Sequence, residues 1–204
     1  MKVLVTGADG FVGRWLIRRL LDDGREVYGA VRPSEPQRED GLTADERAQV
    51  RWLPLEITDN ESVRRCLDLP YDAVVHLAAI ASGAAALRDP GAAWEVNAAG
   101  TARVMNVLAE ARRKDRADPV VLHVSTGEVY NVASGKGTSL EDVLFRMAEL
   151  LDVRPIPEAD PQLMRPADIP HLVGDSAKLR AVTGWSPRRS FDDTLRDVLD
   201  AQKN

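Results

Sequence analysis

The stretch TGADGFVG, Thr6 to Gly13, constrains the fold of this chain more than any other. It follows a short apolar run, Lys2 to Thr6. It precedes a segment in which Val12, Leu16 and Leu20 recur on one helical face, flanked by Trp15 and Ile17. An apolar run before a turn and helical periodicity after it mark a buried parallel strand that feeds a helix. The three glycines have separate jobs in such a turn. Gly7 permits the tight bend, Gly10 lets phosphates approach the backbone, and Gly13 lets the helix pack closely on the strand. The helix N-terminus offers unpaired N–H groups and a partial positive charge to a pyrophosphate. Gly7, Asp9, Gly10, Phe11, Val12 and Gly13 are therefore the expected dinucleotide-binding turn.

The pattern continues along the chain. Gly24 closes the first helix, and Glu26 to Val31 reads as a second strand. Pro33 to Gln49 reads as a surface loop with room for one helical turn. A third strand spans Val50 to Ile57, and a short helix from Asp59 to Leu67 is capped by Asp59 or Asn60. A fourth strand spans Asp72 to Ala79. From Ala92 to Lys114, Val96, Val104, Val107, Leu108 and Ala111 keep helical spacing, and Val120 to Ser125 is a fifth strand. Strands and helices alternating in this order predict an α/β fold, a Rossmann-type doubly wound parallel sheet.

The remainder has a different texture. Tyr130 to Ala133 reads as a brief strand. Thr138 and Glu141 form a capping box before an amphipathic helix carrying Leu140, Val143, Leu144, Met147, Leu150 and Leu151. Arg154 to Pro170 is proline-rich. Asp175 caps a short helix that Gly184 ends, and Ser190 caps a last one with Phe191, Leu195, Val198 and Leu199. The expected division is a dinucleotide-binding domain over 1–130 and a small C-terminal α/β cap over 131–204.

The second strand ends in Gly29-Ala30-Val31-Arg32, with no acid at its tip. A carboxylate there would bind a ribose 2′-hydroxyl, whereas an arginine suits a 2′-phosphate. Arg32 therefore favours NADP(H) over NAD(H), the plainer alternative being a solvated loop arginine. A net charge of -5 argues against nucleic acid and against a polybasic membrane-surface protein. The single cysteine, Cys66, can form no internal disulfide, no apolar stretch is long enough to span a bilayer, and no leader is visible, so a cytoplasmic chain is expected. His76, His123 and His171 are scattered without metal-ligand spacing, and within strands a satisfied core histidine is the simpler reading.

These residues resemble the extended short-chain dehydrogenase/reductase family, the NAD-dependent epimerase/dehydratases, through TGADGFVG, LEITD (55–59), VVHLAA (74–79), WEVNAAGT (94–101) and HVSTGEVY (123–130). YNVASGKGTSLEDVL, RPADIP, VGDSAKL and TGWSP are similar to the family's substrate-binding part. The likeness is greatest to its GDP-mannose 4,6-dehydratase and GDP-4-keto-6-deoxymannose reductase branch. The resemblance implies that Glu56, where the family usually has aspartate, and Ile57 border the adenine. It places Leu77, Ala78 and Ala79 beside the ribose and nicotinamide, and has Asn97 pin the helix and strand ends. Thr126 falls on the family's catalytic Ser/Thr, Glu128 on a dehydratase glutamate, and Arg165 on an arginine that holds a sugar nucleotide's diphosphate. The plainer alternatives are a strand end, an exposed edge and a solvated arginine.

One departure is large. The family's base is a tyrosine in a Tyr-x3-Lys pair. Four residues beyond Tyr28, Tyr71 and Tyr130 stand Arg32, Val75 and Ser134. One GEVY, 127–130, serves both as the end of the active-site strand and as the start of a much later one. About a hundred residues of the family pattern are absent at that point, on the scale of a small domain. Three readings stay open: a minimal enzyme using Thr126 with Glu128 or Tyr130, a silent NADP or sugar-nucleotide binding protein, or a sequence from which a segment is missing. The shortened sheet should also expose an apolar edge and favour a homo-oligomer. The expected substrate is a nucleotide sugar or a smaller carbonyl compound.

Overall fold

The computed structural model describes residues 1–33, 41–125, 131–158 and 172–201. They form two compact units, divided between Val124 and Ser125. In unit 1 the strands are β1 (Lys2–Thr6), β2 (Glu26–Val31), β3 (Arg51–Pro54), β4 (Ala73–His76) and β5 (Val120–His123). All pair in parallel in the order β3-β2-β1-β4-β5. The expected doubly wound α/β sheet is present, and its order reverses between β1 and β4, where such sheets open a crevice at their carboxyl ends.

The helices of unit 1 are α1 (Phe11–Asp22), α2 (Ala44–Gln49), α3 (Asn60–Cys66), α4 (Gly83–Arg88), α5 (Pro90–Trp94) and α6 (Thr101–Arg113). Helices cover both faces of the sheet at β1, β2 and β4, because alternate strand residues point to opposite sides, whereas β5 is exposed along its length. On one face Leu4, Tyr28 and Val74 pack with Val63, Val104 and Leu108. On the other, Val3, Val5, Val27 and Val75 pack with Ile17. Asp59 caps α3, accepting from the Glu61 and Ser62 amides. Thr43 and Glu46 form a capping box on α2.

Several expectations are corrected. The most buried residues of α1 are Gly13, Arg14 and Ile17; of the expected face Leu16 and Leu20 pack against the core, while Val12 is exposed. Close seating of Gly13 on the turn brings Ile17 to the centre of the buried face. The long helix from Ala92 is three pieces, because Glu95–Gly100 is a π-helical segment between α5 and α6. The third and fourth strands are shorter than expected, and Asn131–Ala133 is irregular, with Tyr130 outside the described residues.

Unit 2 contains α7 (Leu140–Leu151), α8 (Ala177–Thr183) and α9 (Phe191–Ala201), with no strand among the described residues. The cap of α7 is Ser139, which accepts from the Asp142 amide, not the expected Thr138. Arg146 Nε donates to Asp192 Oδ1 at 2.9 Å, tying α7 to α9. Gly184 ends α8 with a left-handed φ of 69°, and Ser190 caps α9 by accepting from the Asp193 amide.

Candidate cofactor site

The carboxyl ends of the strands in unit 1 surround a cleft of about 350 Å³. Gly7, Asp9, Gly10 and Phe11 line it from the turn after β1. Arg32 lines it after β2, Glu56 and Ile57 after β3, and Leu77, Ala78 and Ala79 after β4. The cleft thus gathers residues from five points along the sequence, four of them at strand ends, since every strand of a parallel sheet ends on the same edge. Of the residues expected to hold the dinucleotide, Val12, Gly13 and Asn97 are not in the lining. Ala30, Val31, Leu55 and Val96 line it and were not foreseen. Their only sequence signal is that Ala30, Val31 and Leu55 sit at or beside strand tips.

The turn is built for close approach. Gly7 has φ +66°, and a Cβ there would lie 2.9 Å from the Ala78 nitrogen. A Cβ on Gly13 would lie 2.7 Å from the Ala8 carbonyl oxygen. Any side chain at either position would push the β1 turn off β4 or α1 off the turn. Gly10 caps α1 without a side-chain acceptor, and the first turn of α1 holds no acid. The leading amides of α1 are therefore not taken by a capping side chain and carry the helix's positive end. This donor set fits a pyrophosphate.

Behind the lining, a chain of hydrogen bonds holds the β4 end. The amides of Leu77 and Ala78 donate to Thr6 Oγ1 at 3.2 and 3.1 Å. Thr6 Oγ1 lies 2.7 Å from His76 Nδ1, and His76 Nε2 lies 3.1 Å from Thr101 Oγ1. Thr101 Oγ1 donates to the Asn97 carbonyl at 2.7 Å. Asn97 in turn grips Ile80, accepting from its amide at 2.8 Å and donating to its carbonyl at 3.1 Å. Asn97 thus holds Ile80 and is not part of the cleft lining. His76 is buried, as the core reading expected, whereas His123, read the same way, is exposed at the sheet edge and stacks on it with ring centroids 5.2 Å apart. Burial, with His123 alongside, lowers the pKa of His76 to about 4.

The tyrosines agree with the lack of a Tyr-x3-Lys pair in the sequence. Tyr28 and Tyr71 are buried against each other, ring centroids 5.2 Å apart. The Tyr28 hydroxyl donates to Glu26, and that of Tyr71 donates to the Cys66 carbonyl. Burial raises the pKa of both, so neither is a base at neutral pH. Tyr130, Thr126, Glu128 and Arg165 lie outside the described residues. Among the described residues no group of three His, Cys, Asp or Glu could hold a metal, and no helix is long and apolar enough to cross a membrane.

Residues 3–145 match the NAD dependent epimerase/dehydratase family. A UDP-glucose 4-epimerase of Mycolicibacterium smegmatis is 34% identical over 139 residues, covering 68% of this chain and 43% of that protein. A GDP-6-deoxy-D-mannose reductase of Pseudomonas aeruginosa is 32% identical over 77 residues, 38% of this chain and 25% of that protein. The chain spans less than half the length of these curated relatives. Among solved structures, the UDP-glucose 4-epimerase of Thermus thermophilus in complex with NAD superposes with TM-score 0.75 at 20% identity. That superposition covers 100% of this chain and 99% of the other, and shows the shared fold.

Proposed function

The chain belongs to the NAD dependent epimerase/dehydratase family, and from that premise we propose that it is a dinucleotide-dependent oxidoreductase that prefers NADP(H) and acts on a nucleotide sugar. The observation that carries this is the cleft at the sheet's reversal point, where the glycine turn faces Ala78 and Arg32 stands at the β2 tip. When bound, the dinucleotide supplies hydride exchange with a carbonyl or hydroxyl carbon. Gly7 and Gly10 would let the pyrophosphate approach, with the N-terminus of α1 facing its charge. Arg32 would pair with a 2′-phosphate, a contact that NADH cannot offer. Glu56 and Ile57 would border the adenine, and Leu77 to Ala79 the ribose and nicotinamide.

The nucleotide-sugar assignment is supported by the relatives, which include an epimerase and a reductase of such sugars. Thr126 would orient the reacting oxygen, Glu128 and Tyr130 would exchange protons in place of the missing Tyr-x3-Lys pair, and Arg165 would hold the diphosphate. Losing the family's positioned base slows turnover on the order of 10²–10⁴-fold. A weak enzyme with an intact cofactor site is the expected phenotype.

Parallel thermal-shift titrations with NADPH and NADH test the cofactor assignment. At about 100 times its Kd, NADPH should stabilise the fold by about 2.7 kcal/mol. Arg32→Ala should raise the NADPH Kd about tenfold and leave NADH binding unchanged. Equal loss for both nucleotides would remove the NADP preference, and no shift with either would sink the enzyme assignment.

A further inference from the structure

Three polar side chains, those of Thr6, His76 and Thr101, meet behind the cleft, and the last of them bonds the backbone carbonyl of Asn97. Thr6 closes β1, His76 closes β4, Thr101 opens α6, and Asn97 sits in the π-helical segment. Thr6 and His76 are each 1% exposed, so their hydrogen bonds form without competition from water. The directions of those bonds follow from donor counting. Thr6 Oγ1 already accepts from two amides, so its own hydrogen goes to His76 Nδ1. The hydrogen of Thr101 goes to the Asn97 carbonyl, so Thr101 Oγ1 is free to accept from His76 Nε2. His76 is thereby held as the neutral Nε2–H tautomer.

We propose that Thr6, His76, Thr101 and Asn97 act as one positioning relay that fixes the Leu77–Ile80 backbone, and through it the cleft wall that receives the cofactor. The inference rests on the dinucleotide-binding role assigned to this cleft. One end of the relay holds the Leu77 and Ala78 amides, and the other holds both backbone groups of Ile80. Between them lies Ala79, which with Leu77 and Ala78 lines the cleft. The wall has no slack on its other side, because the space where a Gly7 Cβ would stand is already within 2.9 Å of Ala78. A loosened relay therefore moves Ala78 against the glycine turn. The neutral His76 ring, kept so by burial, is the only member that can accept from one threonine while donating to the other.

The test uses the full chain with Thr101→Val, which keeps the shape and removes the hydroxyl, and Thr101→Ser, which restores it. Thr6→Val and the Thr6→Val/Thr101→Val double variant complete a cycle. Thr6 and Thr101 are joined through His76, so their effects should be coupled. Thr101→Val should raise the NADPH Kd about tenfold. In the protein without nucleotide it should also speed amide exchange at Ala78 and Ile80, and Thr101→Ser should restore both. The double variant should lose no more affinity than the worse single. Wild-type Kd and exchange in Thr101→Val, or strictly additive losses in the cycle, would overturn the relay and leave these residues a purely structural role. If the wild-type chain binds neither NADPH nor NADH, the cofactor assignment fails by itself. Amide exchange then still decides whether Thr101 governs Ala78 and Ile80.

Discussion

Unit 1 and unit 2 both contain amphipathic helices with well-formed caps, yet they bury their apolar faces to very different extents. In unit 1 two layers of helices close on the sheet, and Leu4, Val5, Ile17, Val63 and Val74 are all fully buried. In unit 2 the buried apolar side chains among the described residues are Ala148 and Leu195. On α7, Leu140 is 88% exposed although its helix has a clear apolar stripe. Periodicity says that a helix has a face to bury; it does not supply the surface that receives it. A parallel sheet supplies two such surfaces, and α7, α8 and α9 supply little.

If that contrast governs stability, native-state amide exchange will show it. Core amides of β1 and β4 should exchange at least about 10³-fold more slowly than those of α7 and α9. Equal protection in the two units would break the comparison. A smaller effect sharpens it. Gly7→Val places a branched side chain at φ +66° and 2.9 Å from Ala78, which should cost about 3 kcal/mol through left-handed strain and overpacking. Tryptophan fluorescence can follow this, because Trp15, Trp52 and Trp94 report unit 1 and Trp185 reports unit 2. The loss should appear in the unit 1 signal and leave that of Trp185 in place.

The smallest of the three concerns pH. His76 titrates at about 4 in the folded chain against 6.5 in the unfolded one, so the unfolded state takes the proton first as pH falls. The stability tied to neutral His76 is fully present above pH 6.5 and is lost as pH falls towards 4. Urea unfolding of unit 1 should therefore show about 2 kcal/mol less stability at about pH 5 than at about pH 7. His76→Asn should flatten that slope. An unchanged slope in His76→Asn would mean that another group titrates.

Much of the site was legible in the amino-acid sequence. The spacing of Gly7, Gly10 and Gly13 between a strand and a helix pointed to the turn and the tip of the second strand to Arg32, while Glu56, Ile57 and Leu77 to Ala79 came from the resemblance to the epimerase/dehydratases; all but Gly13 line the cleft. The face of α1 was legible in part: Leu16 and Leu20 pack against the core as their spacing predicts, but Val12 is exposed, and the seating of Gly13 on Ala8 brings Ile17 to the centre of that face. The π-helical segment was hidden, since one extra residue in a turn leaves the apolar pattern of Val96 and Val104 nearly intact.

The amino-acid sequence by itself determined the parallel α/β architecture and the edge of the sheet on which the cleft opens. These follow from local signals: strand and helix periods, caps, and a turn only glycines can make. The tertiary structure alone decided that Thr6, His76, Thr101 and Asn97 form one chain of hydrogen bonds, and that Tyr28 and Tyr71 are buried against each other. Such facts depend on which residues meet across the sheet. Thr6 and His76 stand 70 positions apart, and no local pattern records that two strand ends will lie side by side.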